Sequence, residues 1–327
     1  MKKVLVMGGS YFIGKKIVEV LKNNYEVTVL NRGTKEEISG INHIKCDRND
    51  KYQMINLLSN SFFDIIIDVS CLNARQAEIL LESVQITNLQ KIVFISSSAV
   101  YDIEKLSPPF KESDTLGYNN YWKDYGLDKI EAEKVYENFA KMKSIPVIML
   151  RPPYVYGENN YAQRESFIFN HIERGEPIIV PQVGFKIQFI YSGDLANIVM
   201  LFIETKETTL VNIFNVGNKD ALTVTQWIKE CSNVVNKNAK IVFYDHISKK
   251  RNVRDFFPFY DYDNYLDVNL INEFYTNSTS MQEGLNCAYQ WYRDEKANIK
   301  FKENVRTNEQ EILKEIKIID EHNLKYR

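Results

Sequence analysis

The first twenty-one residues leave this chain few folds to choose from. Val4, Leu5, Val6 and Met7 form an apolar run of strand length that stops at Gly8, Gly9 and Ser10; Ile13, Gly14, Ile17, Val18 and Leu21 then recur at helical spacing. A buried strand feeding a glycine turn and a helix is the first half of a βαβ nucleotide-binding unit, because the free amides of the helix start face whatever lies above the strand end. That place favours a phosphate. Gly8 admits the tight turn, and Gly14 lets the helix lie close against the sheet. The middle glycine of the usual G-x-x-G-x-x-G form is missing: Tyr11 stands there, so a pyrophosphate must approach the backbone past a side chain.

The alternation continues. Strands are expected over 26–30, 42–46, 63–69, 91–96 and 147–150, with a helix over 74–85. The run Ile65, Ile66, Ile67 reads as a strand buried on both faces, as parallel sheets require. Together these predict an α/β fold with a doubly wound parallel sheet. The second strand ends in Asn31, Arg32 and Gly33. Where an NAD-preferring fold places an acid to bind both ribose hydroxyls, this chain has Asn31 followed by Arg32, which either holds a 2′-phosphate or is an ordinary turn residue.

The fifth strand runs into Ser96, Ser97 and Ser98, then a loop with Pro108 and Pro109, then a helix expected to start near Asn119. Within it Tyr125 and Lys129 share one face, one turn apart. A phenol is a poor base at neutral pH unless a nearby ammonium favours the phenolate; the lysine supplies that ammonium, and a serine hydroxyl can share the substrate oxygen. Tyr11 with Lys15, Tyr101 with Lys105 and Tyr292 with Lys296 have the same spacing, but only Tyr125 with Lys129 follows a serine-ended strand at crossover distance.

Further on, 188–191 leads into Asp194, 212–217 reads as a strand, and a helix starts at Thr223. The expected division is a dinucleotide-binding domain over 1–155 with 187–216, a smaller α+β substrate lobe over 156–186 with 217–300 on the sheet's carboxyl edge, and a terminal helix within 301–327. Phe256, Phe257, Phe259, Tyr260, Tyr262 and Tyr265 either line a substrate cleft in that lobe or form its core. The stretch 308–321 is a charged amphipathic helix with Ile312, Leu313, Ile316 and Ile319 on one side, suited to packing on its own chain.

Composition narrows the function classes. The formal charge of −2 leaves no global footprint for nucleic acid or an acidic membrane surface, and no apolar run approaches a membrane span. Cys46, Cys71, Cys231 and Cys287 are scattered without a C-x-x-C pair, which reads as reduced thiols in a cytoplasm. His43, His171, His246 and His322 have no metal-ligand spacing, so no metal is expected.

Five motifs occur in a telling order: 8–14 (Gly-Gly-Ser-Tyr-Phe-Ile-Gly), 96–101 (Ser-Ser-Ser-Ala-Val-Tyr), 125–129 (Tyr-Gly-Leu-Asp-Lys), 151–157 (Arg-Pro-Pro-Tyr-Val-Tyr-Gly) and 188–196, from Gln188 to Ala196. In these the chain resembles the short-chain dehydrogenase/reductase superfamily, in its extended and atypical branch of NAD(P)-dependent epimerases and dehydratases. The resemblance implies a Rossmann-like fold, with Ser97 (three residues before Val100) as the catalytic hydroxyl, Tyr125 as acid/base and Lys129 on the nicotinamide ribose. It implies cofactor contacts from Gly8, Ser10, Tyr11, Phe12, Ile13 and Gly14, from Asn31 and Arg32, from Asp47 at the adenine, and from Val69 and Ser70. NADP(H) is favoured and NAD(H) admitted, since Tyr11 is a replacement found in atypical members that tend to use NADP.

One departure bears on substrate. Nucleotide-sugar epimerases carry an arginine that grips the diphosphate where this chain has Ile187, so weak binding of UDP- and dTDP-sugars is expected unless Arg254 compensates. The implied activity is hydride transfer at a hydroxyl-bearing carbon of a sugar-like or other small substrate. Two alternatives stay open: a nucleotide-binding regulatory or RNA-associated member without catalysis, and a simple NADPH-dependent carbonyl reductase. The expected partner is a small-molecule substrate, with no nucleic acid and no membrane, and a homodimer is admitted.

Overall fold

The computed structural model describes residues 1–206 and 209–325, with side chains described up to 317 in the last helix. The first half alternates β1 (Lys3–Met7), α1 (Phe12–Leu21), β2 (Glu26–Asn31), β3 (Asn42–Lys45), α2 (Lys51–Leu58), β4 (Ile65–Asp68), α3 (Ala74–Ser83), β5 (Lys91–Ile95), α4 (Asp124–Lys143) and β6 (Val147–Arg151). Then come β7 (Tyr154–Tyr156), α5 (Arg164–Arg174), β8 (Pro177–Pro181), β9 (Lys186–Ile187), β10 (Phe189–Tyr191), α6 (Ser192–Glu204), β11 (Val211–Asn215) and β12 (Leu222–Thr223). The chain ends with α7 (Val224–Val235), β13 (Lys240–Tyr244), α8 (Asn269–Asn272), α9 (Met281–Glu295) and α10 (Glu303–Lys325).

These elements form two compact units, one of Met1–Val155, Gln188–Ala221 and Asn264–Thr279, the other of Tyr156–Ile187, Leu222–Asp263 and the described residues from Ser280 on. The division differs in detail from that expected of the sequence. Ile187 goes with the second unit, and residues 217–221 and 264–279 go with the sheet, because the 264–279 segment is tied to it: Gln188 N donates to Asn264 O (2.9 Å) and Asp267 N to Phe110 O (2.7 Å). Tyr265 therefore belongs to the first unit. The terminal helix α10 belongs to the second unit rather than standing apart.

The first unit is a seven-stranded parallel sheet in the order β11-β6-β5-β4-β1-β2-β3. Alternation sends successive side chains to opposite faces. Val4 and Val6 join Ile17, Val18, Ile65 and Val199 under α1 and α6, whereas Leu5 and Met7 join Ile66, Leu80, Phe94 and Tyr136 under α3 and α4. All three isoleucines of β4 are fully buried, and burying a side chain of this size stabilises by about 1.5–3 kcal/mol. Strand order reverses between β1 and β4, which opens a crevice at their carboxyl ends.

The helix expected near Asn119 begins later, at Asp124. Asn119 spends its side chain on a turn instead: its oxygen accepts from Tyr121 N (3.0 Å) and Trp122 N (3.3 Å). That local competition ends only at Lys123, so Tyr125 lies in the first helical turn.

In the second unit, capping boxes start α7 (Thr223 with Gln226) and α9 (Ser280 with Glu283), and β8 pairs β13 in parallel. Phe256, Phe257 and Phe259 are at most 2% exposed, so these rings are core. Helix α10 packs on its own unit through Ile312, fully buried, and through an ion pair of Glu309 with His171 at 2.9 Å; Ile319 lies outside the side chains described.

Candidate active site

The glycine turn comes first because its packing decides what fits above β1. A Cβ on Gly14 would collide with the Gly8 carbonyl, so α1 can abut the turn only with glycine there. Gly8 has φ +89°, and a Cβ on it would stand 2.6 Å from Cβ of Ser70 at the end of β4. The turn and the end of β4 therefore meet at the topological switch. Tyr11 is the N-cap of α1 and makes no side-chain cap bond, and no acidic residue stands in the first helical turn. Phe12, buried, holds φ +43°, a conformation a non-glycine residue adopts under strain. A turn that leaves no room for a Cβ at Gly8 or Gly14, leading into a helix with no acidic residue in its first turn, suits a dinucleotide phosphate. Ser10 and Ile13 remain partly exposed at this turn.

The ends of β2 and β3 flank it. Asn31 uses its amide locally, donating to Ser10 Oγ and accepting from Gly33 N (2.6 Å). Arg32 is exposed, and the Lys35 ammonium lies 4.6 Å over the Tyr11 ring. Asp47 accepts from the backbone and side chain of Asn49 (both 2.9 Å), which hold its exposed carboxyl below the ordinary range. Val69, part-buried, packs on the core, and Ser70 Oγ accepts from Arg48 at 2.8 Å.

The serine turn and the tyrosine helix are joined by one close approach. A Cβ on Gly126 would lie 2.5 Å from Ala99 O, so the glycine lets the first turn of α4 press on the backbone after Ser97. Ser97 and Tyr125, both half-buried, are thereby carried on adjoining turns, with Ser97 Oγ accepting from Ala99 N at 3.2 Å. Lys129 lies deeper, at 3% exposure, and donates to Cys71 O (2.6 Å) and Ile95 O (2.8 Å). Burial pulls its pKa down to about 8 against the opposing pull of Cys71 and Asp68.

Among the described residues of this unit lie two buried ionic networks that sequence reasoning missed. Arg48 forms a fork with Asp68 (both bonds 2.7 Å), and Tyr136 donates to the same carboxylate at 2.6 Å. Burial pushes Asp68 up, but the Arg48 charge and these hydrogen bonds hold it below the carboxylate range. Arg151 forms a second fork with Glu133 (3.0 and 2.6 Å), which also accepts from Ser96 at 2.5 Å. One signal was available: Asp68 closes a strand buried on both faces, where a carboxylate requires a cation. Ile187 is fully buried in the second unit, with Lys186 exposed beside it, and Arg254 donates to Phe257 O at 3.1 Å.

With that geometry in place, the likeness to known proteins is informative. A family model described as the NAD dependent epimerase/dehydratase family matches residues 4–217. The chloroplast stem-loop binding protein of 41 kDa b from Arabidopsis thaliana is 28% identical over 278 residues, 80% of this chain and 70% of that one. A putative UDP-glucose 4-epimerase of Methanocaldococcus jannaschii is 26% identical over 249 residues, 68% of this chain and 79% of that one. Among solved structures, UDP-glucose 4-epimerase with UDP-glucose from Thermotoga maritima has a TM-score of 0.74 at 19% identity, covering 89% of this chain and 99% of that one. UDP-glucuronic acid 4-epimerase from Bacillus cereus in complex with NAD reaches 0.72 at 20% identity over the same shares of 89% and 99%. At such identities the structures speak to the fold.

Proposed function

Because the chain belongs to the NAD-dependent epimerase/dehydratase family, we propose that it moves a hydride at a hydroxyl-bearing carbon of a sugar-like or other small substrate, with NADP(H) preferred to NAD(H). The observation that carries this reading is the contact of Gly126 with Ala99, which puts the first turn of α4 against the serine turn. Tyr125 takes the hydroxyl proton, Ser97 shares the substrate oxygen, and the carbon gives up its hydride. The nicotinamide supplies the hydride acceptor and donor. An ammonium has three donors; Lys129 uses two on Cys71 O and Ile95 O, which leaves the third for the ribose while its charge favours the phenolate. General acid/base groups contribute about 10²–10⁴ in rate, so Tyr125→Phe is expected to abolish turnover with cofactor affinity nearly intact. Full activity in that variant refutes the assignment.

NADP(H) preference rests on Asn31, whose amide is engaged locally and which closes β2 in place of a carboxylate, and on the exposed cations Arg32 and Lys35. Calorimetric titration of both cofactors tests it; a preference for NAD of tenfold or more, ~1.4 kcal/mol, overturns it. The solved neighbours named above are UDP-sugar enzymes, but the buried Ile187 offers no guanidinium, so micromolar affinity for UDP- or dTDP-sugars is not expected. The four cysteines are unpaired, three of them buried, which suits a reducing cytoplasm. Among the described residues no helix is long and apolar enough to cross a membrane.

A second reading, a nucleotide-binding member without catalysis, is favoured by the likeness to a stem-loop binding protein. A mobility shift with an RNA stem-loop in a protein inert toward alcohols and carbonyls would select it. A plain carbonyl reductase would instead release its cofactor between half-reactions.

A further inference from the structure

Trp122 stands three residues before Tyr125, on a strained turn. Lys123, between them, has φ +49° and ψ −127°, a backbone conformation that side chains rarely adopt. Such a residue persists only where its surroundings over-determine it. Here they do so through Asn119, fully buried, whose side chain accepts from Tyr121 N and Trp122 N and whose carbonyl accepts from Lys123 N at 2.7 Å. Lys123 itself is exposed, so no packing of its own side chain accounts for the conformation. What the turn does is place an indole. Its ring centroid lies 5.6 Å from the ring of Tyr125 and 6.3 Å from that of Tyr154, and Tyr154 in turn lies 6.1 Å from Phe189.

The four rings differ in exposure. Tyr154 (2%) and Phe189 (0%) are closed off, whereas Trp122 and Tyr125, like Ser97, keep part of their surface open. The result is an aromatic wall with a buried back and an accessible front, and the phenol stands at one end of it.

Resting on the proposed hydride chemistry, we propose that Trp122 is a specificity-determining residue that packs the C–H face of a hydroxylated ring, a cyclic polyol or glycosyl ring, and so presents the ring's carbinol carbon to Tyr125. An indole face carries partial negative charge and attracts the positively polarised C–H bonds of a saturated ring, while hydroxyls project from the ring edge toward polar partners. An open-chain polyol has no such face. The contact requires no charge on the substrate.

The test uses the full chain loaded with NADP⁺ and two vicinal diols with the same reacting group, trans-1,2-cyclohexanediol with a ring face and 2,3-butanediol without one. The wild-type ratio of kcat/KM, ring over open chain, is expected at about ten or above. Trp122→Ala is expected to lower that ratio about tenfold, mainly through KM, and Trp122→Phe to keep most of it. In parallel, cyclohexanediol is expected to change tryptophan emission in the wild type but not in Trp122→Phe, which retains Trp227, fully buried, and Trp291. An unchanged ratio in Trp122→Ala overturns the proposal, as does an emission response that survives in Trp122→Phe or is absent from the wild type. A wild type inert toward both diols counts against the hydride chemistry itself, and the emission comparison then decides the wall alone. If Trp122→Ala fails to fold, as circular dichroism would reveal, the emission comparison with Trp122→Phe carries the decision.

Discussion

Asp68 in the sheet unit and Glu165 in the second unit are both buried carboxylates, yet one is locked as an anion and the other titrates near neutrality. Asp68 receives the Arg48 fork and the Tyr136 hydroxyl, and remains ionised despite its burial. Glu165 accepts from neutral donors, Gly157 N (2.9 Å) and Asn160 Nδ2 (3.1 and 2.9 Å), and burial pushes it up to about 7. Burial pushes both up; the Arg48 guanidinium, from 20 residues upstream, answers it at Asp68 with two hydrogen bonds as well as charge, whereas the Arg164 charge beside Glu165 offsets burial only in part. Beside the end of β4, next to the glycine turn, the charge is therefore constant across physiological pH. In the second unit, Glu165 ties down the backbone at Gly157 and the side chain of Asn160 with a group that changes charge near neutral pH.

The sharpest way to break this contrast is Arg48→Met, which turns Asp68 into a buried carboxylate with no cation. Removing one partner of a buried pair costs about 3–5 kcal/mol. We expect that loss in the urea denaturation of the variant at pH 8, and a smaller one at pH 5, because the orphaned carboxyl can then be protonated. Equal losses at the two pH values would mean that the pair's charge is not what Arg48 contributes.

Glu165→Gln approaches the contrast from the other side. A carboxyl whose folded pKa is raised binds its proton more tightly when folded, so its contribution is full below the ordinary value and is lost as pH rises through about 7. Wild-type stability is therefore expected to decline between about pH 5 and 7, and Glu165→Gln to flatten that decline. At ~1.4 kcal/mol per pH unit the variant gains about 2–3 kcal/mol over wild type at pH 8 and nothing at pH 5. Parallel curves for the two proteins would show that Glu165 is ionised at all of these pH values.

Tyr136→Phe is subtler. It removes one hydrogen bond from Asp68 while the guanidinium stays, and a bond to a charged group is worth about 1.5–3 kcal/mol. A loss at the lower end of that range is expected from the denaturation midpoint, without new pH dependence above pH 5, because Arg48 still holds the carboxylate ionised. Smallest is Glu309→Gln in the second unit, which breaks the ion pair of α10 with His171. Burial lowers the His171 pKa, but Glu309, together with the Phe167 carbonyl and Glu176, raises it more, so the pair is complete below the ordinary histidine value and is lost as pH rises through the raised one. About 1 kcal/mol is expected at pH 6 and little at pH 9.

Local pattern made much of the fold legible. The runs at Val4, Ile65 and Ile92 read as strands because a parallel strand buried on both faces has no polar alternation to disguise it. Gly8 and Gly14 announced the turn through the backbone they permit. The start of α4 was misplaced because Asn119 and Lys123 hold the chain in a turn whose hydrogen bonds close over only a few residues, and propensity does not register them. The aromatic run near Phe256 was ambiguous for a different reason: rings that line a cleft and rings that fill a core have the same composition, and only burial distinguishes them.

By itself the sequence determined the alternation of strands and helices, the glycine turn and the placing of Tyr125 and Lys129 one turn apart on one helix, since each depends on residues within a turn or two of one another. Tertiary structure alone decided which charges are paired. Arg48 meets Asp68, and Arg151 meets Glu133, across 20 and 18 residues of chain, while Glu165 accepts from the Gly157 backbone and the Asn160 amide. Only the folded chain supplies those meetings, because the charge state of a buried carboxylate depends on what surrounds it in space, and neighbours in sequence do not settle that.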